Sequence, residues 1–167
     1  PGEFLSGAHR GAFSSKDGHL YIVGTDGWQS YAQENGSLQR VRWTGGEMLL
    51  PESLETRKNG LIIRFNEFID PQSLDLDKVF ASQWNYLHSE AYGSPEYSVR
   101  NPGITGHDTV EIRSLHALKD GKSIFVEIPQ LHPVMQFHLH LELKTRDGRS
   151  FAPDLYYSIF HQGEEFT

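Results

Sequence analysis

Two histidines stand two residues apart in the run 134–143 (VMQFHLHLEL), which carries the clearest chemical content in the chain. If the run is a strand, alternate side chains share a face. Met135, Phe137, Leu139, Leu141 and Leu143 then make one wholly apolar face, which must be core. Val134, Gln136, His138, His140 and Glu142 make the other. Two imidazoles on neighbouring same-side positions can chelate one metal ion, and imidazole suits copper, zinc, nickel and iron. A third ligand would come from another strand or a loop, with His88, His107, His116 and Glu142 as candidates. The sequence has no cysteine. Such a site would therefore be a type-2 copper centre, or a zinc centre with an open position. The competing reading is an ordinary polar sheet face that happens to carry histidine.

Other chemistries leave weaker marks. There is no G-x-S-x-G elbow, H-E-x-x-H, P-loop or G-x-G-x-x-G. No nucleophile–base arrangement is legible, so the chain does not read as an enzyme on its own. Trp28, Trp84 and Tyr92 are candidates for a carbohydrate-binding platform, and this non-metal docking or polysaccharide-binding module is the alternative function. Buried strands use aromatics equally well.

The elements that must position these residues are short. Asp17-Gly18, Asp26-Gly27, Asn35-Gly36, Asn59-Gly60, Asp120-Gly121 and Asp147-Gly148 are tight-turn dipeptides. Between them lie strand-like runs at 19–24, 38–43, 61–65, 79–86, 109–116, 123–128, 134–143 and 155–160. Asp70 to Leu74 reads as a single helical turn with proline near its start. Residues 87–108 read as a long loop, which in a compact domain is usually functional. The pattern predicts an all-β protein: an Ig-like or cupredoxin-like antiparallel sandwich at 47–167, preceded by an N-terminal hairpin block at 5–46. Pro1-Gly2-Glu3-Phe4 reads as a protease-site and cloning remnant rather than a natural start.

Composition sets the outer bounds. A chain of 167 residues buries enough surface to hold a core without staples. Lacking cysteine, it has no disulfide, thiolate ligand or covalent c-type haem. Its net charge of −7 argues against a nucleic-acid partner held by charge. No apolar run reaches the roughly 20 residues of a membrane span.

Several strings resemble a known family. Residues 18–28 (GHLYIVGTDGW) and 31–45 (YAQENGSLQRVRWTG) resemble the closing segment of a propeller-type dehydrogenase. Residues 65–74 (FNEFIDPQSL) are similar to bacterial Ig-like domains. Residues 83–86 (QWNY), 91–108 and 124–143 resemble the C-terminal region of large bacterial glucose/sorbosone-dehydrogenase-like, c-type-cytochrome-fused proteins. The resemblance covers about residues 11–165. It implies a periplasmic or secreted parent, with cytochrome or dehydrogenase domains as partners and redox chemistry carried elsewhere. The chain departs from the whole parent in having no C-x-x-C-H and no complete propeller, so dehydrogenase activity transfers to no residue here.

Overall fold

The computed structural model describes residues 4–27, 32–90 and 92–167. The chain divides into two compact units, Pro1–Met48 and Leu49–Thr167. Among the described residues, no helix is long and apolar enough to cross a membrane.

The first unit is a three-stranded antiparallel meander of β1 (Gly7–Phe13), β2 (Leu20–Thr25) and β3 (Gly36–Val41), in that order. Phe13, Leu20 and Val41 stand opposite one another across it. Phe13 and Val41 remain exposed.

The second unit is the sandwich. Its strands are β4 (Pro51–Arg57), β5 (Gly60–Phe65), β6 (Val79–Trp84), β7 (Asp108–Thr109), β8 (Ser114–Ala117), β9 (Ser123–Glu127), β10 (Val134–Leu141), β11 (Leu143–Lys144), β12 (Ser150–Phe151) and β13 (Asp154–Ile159). Two four-stranded sheets run in the orders β4-β5-β9-β8 and β13-β10-β6-β7, while β11 and β12 form a small ribbon. Every pairing between these strands is antiparallel. One apolar cluster joins the sheets: Leu61, Ile63 and Phe65 from β5, Ile124 and Val126 from β9, and Phe137, Leu139 and Leu141 from β10. Fully burying each such side chain contributes about 1.5–3 kcal/mol. The central strands are the apolar ones, and the edge strand β4 (PESLETR) is polar, as a solvent-facing edge requires.

The run at 109–116 is not one strand. It leaves the β6 sheet after Thr109 and enters the β9 sheet at Ser114, so it turns the corner of the sandwich. The expected helical turn is a single 3-10 turn, Pro71–Ser73, with the Asp70 side chain accepting from Gln72 N–H.

Strand β10 also departs from strict alternation. The β10–β13 register shifts between Val134 and Phe137. Val134 is consequently buried and Met135 is 47% exposed, the reverse of the alternation expected from sequence. The displaced backbone is held by side chains: Met135 N–H donates to Asn85 Oδ1 (3.0 Å) and Ser158 Oγ donates to Met135 O (2.6 Å). Beyond this bulge the period resumes, so Phe137, Leu139 and Leu141 face the core while His138 and His140 face outward.

Two aspartates fix the loops that matter. Asp120 accepts from Lys122 N–H, Ser123 N–H and Ser123 Oγ, and pairs with Arg64 at 2.6 Å. Asp108 accepts from Ser98 Oγ (2.7 Å), Val99 N–H (2.7 Å) and Arg100 N–H (2.8 Å), tying the end of the long loop to β7. Burial works against both charges, but these hydrogen bonds and the neighbouring arginines outweigh it. Both pKa values therefore lie below the ordinary 3.8. The sign follows from linkage. A carboxylate with a depressed folded pKa contributes stability that is complete above 3.8 and lost as pH falls through the folded value. Acid titration followed by circular dichroism should show stability falling below pH 3.8, and Asp120→Asn should flatten part of that limb. An acid limb of unchanged slope in the variant would remove Asp120 from the account.

Candidate functional site

The two imidazoles occupy adjacent outward positions on the central strand β10. Cross-strand register sets their neighbours. His138 lies between Tyr156 on β13 and Ser82 on β6, and His140 between Asp154 and Phe80. Asp154 is the first residue of β13 and reaches across to both rings. His138 Nε2–H donates to Asp154 Oδ1 at 2.7 Å, and His140 Nδ1–H donates to the same oxygen at 3.0 Å.

The ring of Tyr156 stacks on His138, centroids 4.3 Å apart and planes 3° from parallel. Phe80 meets His138 edge-on at 6.0 Å. His138 is thereby clamped on both sides, and its side chain is 16% exposed, against 32% for His140 and 49% for Asp154. The hydrogen bonds from His138 and His140 hold the Asp154 carboxyl below its ordinary pKa. The site thus offers two imidazoles and an ionised carboxylate on one solvent-facing surface.

None of the expected partners joins the pair. His116 sits on β8 in the other sheet, where its Nε2 meets Ser114 Oγ at 2.8 Å. His107 stacks on Trp84 at 3.9 Å and pairs with Glu96. His88 lies in the segment after β6, and Glu142 lies beyond the end of β10. The group beside both rings is Asp154 instead. Among the described residues, no group of three or more His, Asp or Glu side chains is placed to hold a metal ion. The three groups here are hydrogen-bonded to one another.

Of the aromatic set, one ring is withdrawn from the surface and another stands on it. Trp84 is 6% exposed, with His107 against one ring face and its Nε1 donating to Tyr86 Oη. Tyr92 is fully exposed. Trp28 lies outside the described residues. A second polar cluster, Ser114–His116–Glu127, lies on the β8–β9 edge. The Ser114 hydrogen bond and the Arg113 charge hold the Glu127 pKa below its ordinary value, which makes it a weak base for the serine.

No protein-family model matches the chain, and no curated protein or solved structure is detectably similar to it. The functional reading therefore rests on the geometry of these side chains.

Proposed function

We propose that the chain is an accessory module of an exported redox protein, and that its sandwich takes one copper ion at His138 and His140, with Asp154 as third donor. One observation carries the site. Both imidazoles address a single carboxylate oxygen, at 2.7 and 3.0 Å. Donors bound to one first-row ion at about 2.0–2.2 Å stand roughly 3 Å from each other. Two of the three donor–donor separations thus match such a shell. A neutral imidazole can move its proton to the far ring nitrogen, which turns the near N–H into a lone pair.

The donor set decides the order of preference. Two nitrogens and an oxygen, without thiolate, favour divalent copper over zinc. A bound copper ion would supply one-electron transfer. The Tyr156 stack holds the His138 ring in its plane, and Asp154 fixes the near nitrogen of each ring. Because binding breaks two existing hydrogen bonds, affinity near about 1 μM is expected rather than the nanomolar range. The strings that resemble cytochrome-fused dehydrogenases would give the module a periplasmic or secreted parent, with cytochrome or dehydrogenase domains as its partners.

The test is metal content by mass spectrometry after loading with Cu(II) or Zn(II) and desalting. About one copper per chain is expected, with less zinc retained, and copper should be lost in His138→Ala. No retained copper, or equal retention in a folded His138→Ala variant, would overturn the reading.

A further inference from the structure

Two Asn-Gly pairs stand at turns of the chain, and the structure holds them in opposite states. An asparagine before glycine carries its own reaction partner. The next backbone nitrogen lies within reach of the side-chain amide carbon, and glycine has no Cβ to keep it away. Asn59-Gly60 is held shut. Asn59 Nδ2–H donates to Phe166 O at 2.9 Å, and Asn59 Oδ1 accepts from Phe166 N–H at 2.9 Å. Ile128 N–H donates to Asn59 O at 2.9 Å, so the 59–128 pair is hydrogen-bonded across to β9. By alternation Gly60 then turns its N–H to Arg57 of β4, where the ladder engages it.

Asn35-Gly36 is open. Asn35 is exposed in the bend before β3, and its carboxamide makes no hydrogen bond to any described residue. Asp26 N–H donates to Asn35 O at 2.9 Å. Hydrogen-bonded and non-hydrogen-bonded pairs alternate along an antiparallel ladder. The next pair, Thr25 with Gly36, therefore exchanges no hydrogen bond, and the Gly36 N–H points away from β2. No strand pairs with β3 on that side. Nucleophile and electrophile are both uncommitted. The backbone on either side of Asn35 is fixed, because Glu34 N–H also donates to Leu5 O at 2.8 Å.

We propose that Asn35 is a self-modification site of the first unit, converted to aspartate and isoaspartate without an enzyme. The Gly36 nitrogen loses its proton to solvent and forms a bond to Asn35 Cγ. The Cγ–Nδ2 bond breaks and ammonia leaves. Water then opens the succinimide ring at either carbonyl, and no oxidant or reductant takes part. Opening at one carbonyl gives aspartate, with one new negative charge. Opening at the other gives isoaspartate, with the same charge and one more carbon in the main chain, where Asn35 O holds Asp26 N–H. Gly36 and Thr25 are the last pair of the β2–β3 ladder, so the second product loosens that end of the sheet.

The experiment incubates the full chain at mildly alkaline pH for several weeks, digests samples with trypsin and reads them by mass spectrometry against a zero-time control. Cleavage at Lys and Arg puts the two pairs on separate peptides, residues 17–40 and 59–64. The 17–40 peptide should show amide-to-acid conversion at Asn35, with an isoaspartate isomer resolved by chromatography. Its rate should exceed that of 59–64 by at least about tenfold, since Asn59 reacts only when the native state opens locally. In urea the two sites should convert at similar rates. Gly36 has no positive φ, and an added Cβ would lie 3.5 Å from Gly24 O, an ordinary contact. Gly36→Ala should therefore stay folded by circular dichroism while slowing the conversion at Asn35 by at least about tenfold. Equal rates at Asn35 and Asn59 in the native chain would overturn the proposal, as would an unchanged rate in folded Gly36→Ala. An Asn59 that stays slow in urea would also overturn it, by placing the contrast in the flanking sequence.

Discussion

Copper affinity is expected to fall by at least about a hundredfold when His138 and His140 are both replaced by alanine, and by about tenfold in Asp154→Ala. The difference reflects what each group supplies. Divalent copper holds imidazole nitrogen more strongly than a single carboxylate oxygen. The Asp154 side chain is 49% exposed, so water can take its place at an ion. The double variant leaves no nitrogen donor on that face of β10. Both variants should keep their fold, because the histidines point away from the core that Phe137, Leu139 and Leu141 build. Calorimetric titration of the three proteins, with far-ultraviolet circular dichroism as the fold control, measures the hierarchy. Wild-type affinity in the double variant would place the ion elsewhere. Equal losses in both variants would make the carboxylate the anchor and the imidazoles its helpers.

The pairing of the two histidines was legible because alternation on one strand is a local property. Asp154 was not, for an equally physical reason. The run read from sequence began at Leu155, where the apolar residues begin, and left the aspartate outside. Its register against β10, with His140 opposite Asp154, is set by long-range pairing that no local pattern encodes. The bulge at Val134 and Met135 is hidden in the same way. Met135 looks like a core residue by its type, and it is turned outward where its N–H donates to Asn85 Oδ1 and its carbonyl accepts from Ser158 Oγ, both distant in sequence.

Strand existence was easier than strand role. The apolar central strands β5, β9 and β10 stood out, and the polar ones, β1 (GAHRGAF) and β4 (PESLETR), did not. Edge strands need little apolar content, so periodicity is weakest where they are. Gln83 shows the deeper ambiguity. In the run 79–86, alternation offers two faces, one with Val79, Ala81 and Gln83, the other with Phe80, Ser82 and Trp84. Hydrophobicity favours the aromatic face for the core. The structure turns Ala81 and Gln83 inward, leaves Phe80 46% exposed beside the histidines, and buries Trp84 against His107. The histidine site follows from that choice, because it sets Phe80 edge-on to the His138 ring.

Gly60→Ala is expected to destabilise the sandwich by about 3 kcal/mol or more. Asn59-Gly60 was recognisable as a hairpin signal, but the turn chemistry understates what the glycine does. Gly60 opens β5 and pairs with Arg57 on one side and Glu127 on the other. An added Cβ would lie 2.2 Å from Val126 O and 2.8 Å from the Phe125 ring. The ring could rotate; the carbonyl belongs to the central strand β9 and cannot yield without opening the β5–β9 ladder. The backbone there also has φ +155°, which L residues rarely adopt. Gly148 separates the two causes. Its φ is +88°, but nothing lies within 4 Å of an added Cβ. Gly148→Ala should therefore lose only the conformational part, about 1–2 kcal/mol. Urea unfolding followed by tryptophan fluorescence compares the two, since Trp84 is buried in the folded state. If Gly60→Ala unfolds no more readily than Gly148→Ala, then the strands β5 and β9 can part at this point without loss, and the close approach of the Val126 carbonyl contributes nothing to the requirement for glycine.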